Sequence, residues 1–143
     1  MQNPSFQNIL IVEDDESSFL YLQYTLEDCN YFIYRALDGQ QAINYIKNKN
    51  VPIDLILMDI KLPEVDGYAA TEEIRKIKPE IPIIAQTAIY LQSEIQKIIA
   101  YKMNAILIKP YSSELLLNTI RCVLENKSTA RRKSNSEPLF HCQ

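Results

Sequence analysis

Two apolar runs in this chain lead straight into carboxylates. Ile9-Leu10-Ile11-Val12 is followed by Glu13-Asp14-Asp15-Glu16, and the run from Ile53 to Met58, apolar apart from Asp54 and bounded by Pro52, is followed by Asp59. Short uninterrupted apolar runs are the pattern of strands buried on both faces of a parallel sheet. The C-terminal rim of such a sheet is where open α/β folds bind ligands. Carboxylates delivered to one rim by two strands repel each other unless a cation neutralises them. The pattern therefore predicts a divalent-metal site with one carboxylate left for chemistry.

Two more runs end in groups suited to an anion. Ile83-Ile84-Ala85-Gln86 ends in Thr87, and Ile106-Leu107-Ile108 ends in Lys109, followed by Pro110. Two or three carboxylates can hold Mg²⁺, a hard ion that prefers oxygen ligands and keeps several waters. Asp59, already ionised at neutral pH, can then attack phosphorus and form an aspartyl-phosphate. The lysine ammonium offsets charge on phosphoryl oxygens and the threonine hydroxyl donates to one of them.

The elements that must carry these groups alternate along the chain. Strands are expected at about 8–12, 31–36, 53–58, 81–86 and 105–108. Between them lie five helical patterns. The first, Ser17 to Asp28, puts Phe19, Leu22 and Leu26 on one face; the second follows Asp38-Gly39 with Ala42, Ile43 and Ile46. The third starts after Gly67 with Ala70, Ile74 and Ile77 and stops before Pro79; the fourth carries Ile95, Ile98 and Ile99; the fifth, from Ser112 or Ser113, carries Leu116, Ile120, Val123 and Leu124. Parallel strands need crossover connections, so the alternation predicts a doubly wound α/β fold, a five-stranded parallel sheet of order 2-1-3-4-5.

Charge and composition set the outer limits. With 143 residues and 47% hydrophobic content, one domain with a sizeable core is expected. Residues 1–125 hold 11 basic and 17 acidic side chains, a net −6, which argues against nucleic-acid binding through a basic surface. Residues 126–143 hold 4 basic and 1 acidic, a net +3, without apolar period, and are expected to form a mobile tail. Cys29, Cys122 and Cys142 have neither metal-ligand spacing nor a disulfide framework, which suits a reducing cytoplasm. No run is long enough to span a membrane, and Met1-Gln2-Asn3-Pro4 does not open a signal peptide.

Taken in order, Ile-Val-Glu13-Asp14-Asp15, Leu-Met-Asp59-Ile-Lys-Leu-Pro63-Glu-Val-Asp66-Gly67, Gln-Thr87-Ala88 and Ile-Lys109-Pro110 resemble the motifs of receiver domains of two-component response regulators, from about Asn8 to Glu125. The phrases at 64–75 and 82–88 look more like receivers attached to hybrid sensor kinases. The resemblance implies a flavodoxin-like fold, a receiver domain over 1–125 and a flexible tail over 126–143. It implies Asp59 as phospho-acceptor, Glu13 and Asp14 as the acidic pocket, Thr87 as switch residue and Lys109 as phosphate-sensing lysine. Asp14, Asp59 and the backbone carbonyl of Lys61 would ligate Mg²⁺, and the Lys109-Pro110 peptide would be cis. A histidine kinase or histidine phosphotransfer protein would be the partner, and the fourth helix, fifth strand and fifth helix would form a switching face that can also pair as a homodimer.

Three departures stand out. Ile106 occupies the position where the family usually has Tyr or Phe; Lys102-Met103 replaces small residues; Lys61, a long cation, stands two after the acceptor.

Competing readings fit less well. A haloacid-dehalogenase-type phosphatase needs Asp-x-Asp at its nucleophile, whereas this chain has Asp59-Ile60-Lys61 and no length for a cap. A degenerate binding module would have lost an acid, the threonine or the lysine, and none is lost. A dinucleotide site fails because Gly39 and Gly67, the only glycines, form no phosphate-cradling loop. Asp15 and Glu16 are expected to serve a helix N-terminus, Asp66-Gly67 a turn, and His141 no chemistry.

Overall fold

The computed structural model describes residues 6–130, with side chains as far as residue 126. Five strands and five helices alternate: β1 (Gln7–Val12), α1 (Glu16–Glu27), β2 (Tyr31–Ala36), α2 (Gly39–Lys47), β3 (Leu55–Asp59), α3 (Gly67–Ile77), β4 (Ile83–Thr87), α4 (Gln92–Ala100), β5 (Ala105–Ile108) and α5 (Ser113–Ala130). All neighbouring strands are parallel, in the order β2-β1-β3-β4-β5. This is the doubly wound α/β sheet that the alternation predicts.

The apolar runs are continuous because both faces of the sheet are covered. Leu10, Val12, Ile56, Met58, Ile83 and Ala85 enter a core with residues of α2, α3 and α4. Their neighbours Ile9, Ile11, Leu55, Leu57, Ile84 and Leu107 enter a second core under α1 and α5. Successive side chains of a strand point to opposite faces, so each buried run feeds both cores and delivers its last residue to the rim.

Three helices are started by aspartates. Asp15, Asp38 and Asp66 each accept a backbone N–H from three residues on, at 2.8 Å, supplying a partner for one of the helix's orphan donors. The cap explains Asp15 and Asp66 without a ligand, while Glu16 pairs with Arg35 at 2.6 Å. The α4 helix lacks such a side-chain cap at Leu91.

Some expected features shift. Asp54 lies outside β3 because its carboxylate accepts the Asn8 backbone N–H at 2.7 Å, which leaves the strand to start at Leu55 and to include Asp59. Of the α4 isoleucines only Ile98 is fully buried, and Ile99 is 41% exposed. At roughly 100° per residue Ile99 falls well around the helix from Ile98. Ile77, the last residue of α3, is also exposed. The α5 helix runs to Ala130, past the boundary expected at residue 125, and the rest of the expected tail lies outside the described residues. Cys29 is a free surface thiol, and Cys142 lies outside the described residues. No helix of the described residues is long and apolar enough to cross a membrane.

Gly67 joins β3 to α3 by close approach. A Cβ there would lie 2.4 Å from the Asp59 carbonyl oxygen, and the Gly67 N–H donates to the Ile60 carbonyl at 3.1 Å. Gly67→Ala must push one of these backbones aside. We expect it to cost about 1–3 kcal/mol of stability, read as a lower urea midpoint; an unchanged midpoint would show that the loop yields freely.

Candidate functional site

The rim residues meet as the strand register requires. Glu13 follows β1, Asp59 ends β3, Thr87 ends β4, and Lys109 follows β5. One oxygen from each of Glu13, Asp14 and Asp59 lies within 4.8 Å of the others. Glu13 is 1% exposed and Asp59 7%, whereas Asp14 is open to solvent. The Lys109 ammonium donates to Glu13 Oε1 at 3.1 Å and to Asp59 Oδ2 at 3.5 Å, bridging the two buried acids. The backbone N–H of Lys61 donates to the other Asp59 oxygen at 3.0 Å.

Electrostatics follow from that crowding. Burial, then the hydrogen bond and charge of Asp59, push the Glu13 carboxyl above its ordinary value, with Lys109 pulling the other way. Burial works against the Lys109 ammonium, but the adjacent charges of Asp59 and Glu13 outweigh it and hold Lys109 above its usual value. One cation thus bridges two of the three clustered carboxylates, so the site carries excess negative charge. An all-oxygen donor set with one solvent-facing member fits a hard divalent ion such as Mg²⁺.

The other predicted residues sit at the rim in different ways. Thr87 is 3% exposed; its carbonyl accepts the Lys109 N–H at 2.8 Å, and its hydroxyl accepts the Ile89 N–H at 3.1 Å. The Lys61 side chain is exposed. The Lys109-Pro110 peptide is cis. At the departure Lys102-Met103, Lys102 has φ of 61° with its carbonyl held by Arg75 Nη2 at 2.8 Å, and Met103 is fully buried.

Three residues of the neighbourhood went unread in the sequence. Gln86 pairs in register with Asp59, is fully buried, and accepts a hydrogen bond from the Tyr111 hydroxyl. Its signal was available: a polar residue inside an otherwise apolar strand. Tyr68, at the start of α3, gave no such signal. Its hydroxyl bonds the Glu94 carboxylate, the Lys97 ammonium lies 4.2 Å over its ring, and the Tyr101 ring centroid is 5.0 Å away. An aromatic residue therefore ties α3 to α4, while Ile106 on β5 is only half-buried against the same core.

Comparison with known proteins agrees with the geometry. The family model for the response regulator receiver domain matches residues 9–121. The chain is 34% identical to a probable transcriptional regulator, ycf27, of Guillardia theta, over 90% of the chain and 50% of that protein. It is 33% identical to the autoinducer sensor kinase/phosphatase CqsS of Vibrio cholerae, over 80% of the chain and 17% of that protein. Relatives of both the regulator and the sensor-kinase kind thus match, and the chain spans about half or less of the length of these curated relatives. Among solved structures, the receiver domain of a Pseudomonas aeruginosa sensor histidine kinase, with magnesium coordinated in its active-site cleft, aligns with a TM-score of 0.76. That alignment has 33% identity and covers 85% of this chain and 99% of that one. With the matched span running through every strand end described above, the chain belongs to the family of response regulator receiver domains.

Proposed function

We propose that this receiver accepts a phosphoryl group on Asp59 from a histidine kinase or a histidine phosphotransfer protein, and that the modification switches the face formed by α4, β5 and α5 for a partner. The observation that carries the reading is the Lys109 ammonium bridging Glu13 and Asp59 beside Asp14. It supports reading Asp59 as a nucleophilic carboxylate beside a metal-type carboxylate cluster and a phosphate-type cation. Asp14, Asp59 and the backbone carbonyl of Lys61 would hold Mg²⁺, with Glu13 completing the acidic pocket from outside the ligand set; when bound, the ion would neutralise charge on the phosphoryl oxygens.

The rest of the chemistry belongs to the chain. A carboxylate oxygen of Asp59 forms a bond to phosphorus as the bond from phosphorus to the donor histidine nitrogen breaks. The imidazole leaves with that electron pair and takes up a proton from solvent. The Lys61 backbone N–H orients Asp59 through one oxygen, leaving the carboxylate fixed for in-line attack. Lys109 moves from a carboxylate pair to a phosphoryl oxygen, and Thr87 exchanges its bond from Ile89 for one donated to the phosphoryl group.

The chain's own catalysis is limited to its phosphorylation and dephosphorylation. It acts as a stand-alone regulator or as the receiver portion of a hybrid kinase, and pairing of two copies through the α4, β5 and α5 face is part of the same proposal. Direct nucleic-acid binding is not, given the net −6 of residues 1–125. A cytoplasmic setting follows from the proposed kinase partner.

The test is intact-mass analysis after incubation with acetyl phosphate. The parent chain should gain one phosphoryl group with Mg²⁺ and none with EDTA, and Asp59→Asn should gain none. Equal labelling of Asp59→Asn would overturn the assignment.

A further inference from the structure

Gln86 is the least expected residue near the acceptor. It is fully buried, its Oε1 accepts from the Tyr111 hydroxyl, and its Nε2 has no partner among the described residues. Burying an amide with an orphaned donor carries a desolvation cost. An apolar side chain would avoid that cost, and the three strand residues before it, Ile83, Ile84 and Ala85, are apolar. The amide also stands in a specific place. Gln86 is the register partner of Asp59 on one side and of Leu107 on the other. Register partners in a parallel pair share a sheet face.

Tyr111 shares that neighbourhood. It packs partly buried against the core beneath α1 and α5, two residues after Lys109. Burial, and next the charge of Glu13, hold its phenol above the ordinary value, with Tyr21 and Asp59 adding to the same effect. The hydroxyl is thus a donor near the acidic pocket, bonded to a side chain of the acceptor's neighbouring strand.

Lys109 hangs between two fixed points. Its N–H is held by the Thr87 carbonyl at 2.8 Å, and two residues later Tyr111 is held by Gln86. Both anchors are on β4, and the ammonium between them must reach two carboxylates at 3.1 and 3.5 Å.

We propose that Gln86 and Tyr111 are positioning residues, a hydrogen-bonded pair that holds the segment Lys109–Tyr111 against β4 so that Lys109 is aimed at the acceptor pocket. The inference rests on the phospho-acceptor reading and deepens it, because it assigns the aim of Lys109 to two residues outside the carboxylate, threonine and lysine set. The pair touches neither metal ligands nor the reacting atoms through its own bond, so its effect must pass through Lys109.

The experiment separates anion binding from metal binding. Mg²⁺ affinity and beryllofluoride affinity are measured by titration on the full chain for the parent, Tyr111→Phe, Gln86→Met and the double variant, and again in a Lys109→Ala background. Both single variants should bind beryllofluoride roughly five-fold more weakly, the size set by one hydrogen bond's net contribution, and should bind Mg²⁺ no more weakly than the parent. The double variant should be no worse than either single one, and the effect should vanish in the Lys109→Ala background, the mark of groups acting as one unit. Parent-like beryllofluoride binding in both variants, equal loss of Mg²⁺ binding, or a full effect on top of Lys109→Ala would each overturn the inference. Failure of the parent chain itself to bind beryllofluoride with Mg²⁺ would instead overturn the phospho-acceptor reading.

Discussion

Lys109→Ala should slow phosphoryl uptake by roughly two orders of magnitude, the scale seen when one preorganised electrostatic partner is removed from a transition state. The same change should strengthen Mg²⁺ binding several-fold. Both effects have one origin, the bridge from the ammonium to Glu13 and Asp59. In the proposed transfer that cation would meet the phosphoryl oxygens; before transfer it would compete with the metal for the same carboxylates. The measurements are the initial rate of labelling by acetyl phosphate and a Mg²⁺ titration. A variant that labels at the parent rate would remove Lys109 from the reaction, and weaker Mg²⁺ binding would show that the ammonium supports the metal site.

The second large effect separates the two pocket acids. Asp14 is open to solvent, whereas Glu13 is buried and already paired with Lys109. Asp14→Ala should push Mg²⁺ binding beyond detection at millimolar metal. Glu13→Gln should cost no more than about 10–100-fold, as for a group that orients a ligand from outside the coordination shell. Equal losses would reject the distinction.

Glu13 also gives the metal-free protein a characteristic pH dependence. Its folded-state value is raised above the ordinary 4.5 by burial and by Asp59, so the folded state holds the proton more tightly than the unfolded one. The stability this provides is fully present below about pH 4.5 and is lost as pH rises through the raised folded value. Glu13→Gln should flatten that part of the urea-midpoint profile and raise the midpoint above it. Lys109 is the opposite charge type with the same direction of shift; its contribution persists below about pH 10.5 and fades above its folded value.

Much of this arrangement was legible in the residues because buried parallel strands write plainly. Runs such as Ile9 to Val12 and Ile83 to Ala85 contain no polar break, and the residue ending each run falls on the rim by geometry alone. The runs alone therefore bring Glu13, Asp59, Thr87 and Lys109 to one rim. Of the capping aspartates, Asp15 was legible at a helix N-terminus for the same local reason, whereas Asp66 reads as a turn and Asp38 only as preceding a helix, although each bonds a residue three positions on.

What the sequence did not give was long-range side-chain pairing. Tyr68 reaches Glu94 across 26 residues, and Tyr111 reaches Gln86 across 25, distances that no local pattern encodes. Helix ends were similarly obscure. Whether Ile99 faces the core depends on how α4, uncapped by a side chain at Leu91, is rotated against the sheet. The α5 helix passes residue 125 because Asn126-Lys127-Ser128 contains nothing that must break a helix.

Asp59 as acceptor is tested most directly by locating the phosphoryl group. Reaction with acetyl phosphate and Mg²⁺, followed by borohydride reduction of the acyl phosphate and tandem mass spectrometry, converts a phosphorylated aspartate into homoserine at its own position. Homoserine should appear at residue 59 alone, in proportion to the phosphoryl label and only when Mg²⁺ is present. Label that resists reduction, or homoserine at position 14 or 15 with residue 59 unchanged, would contradict the assignment.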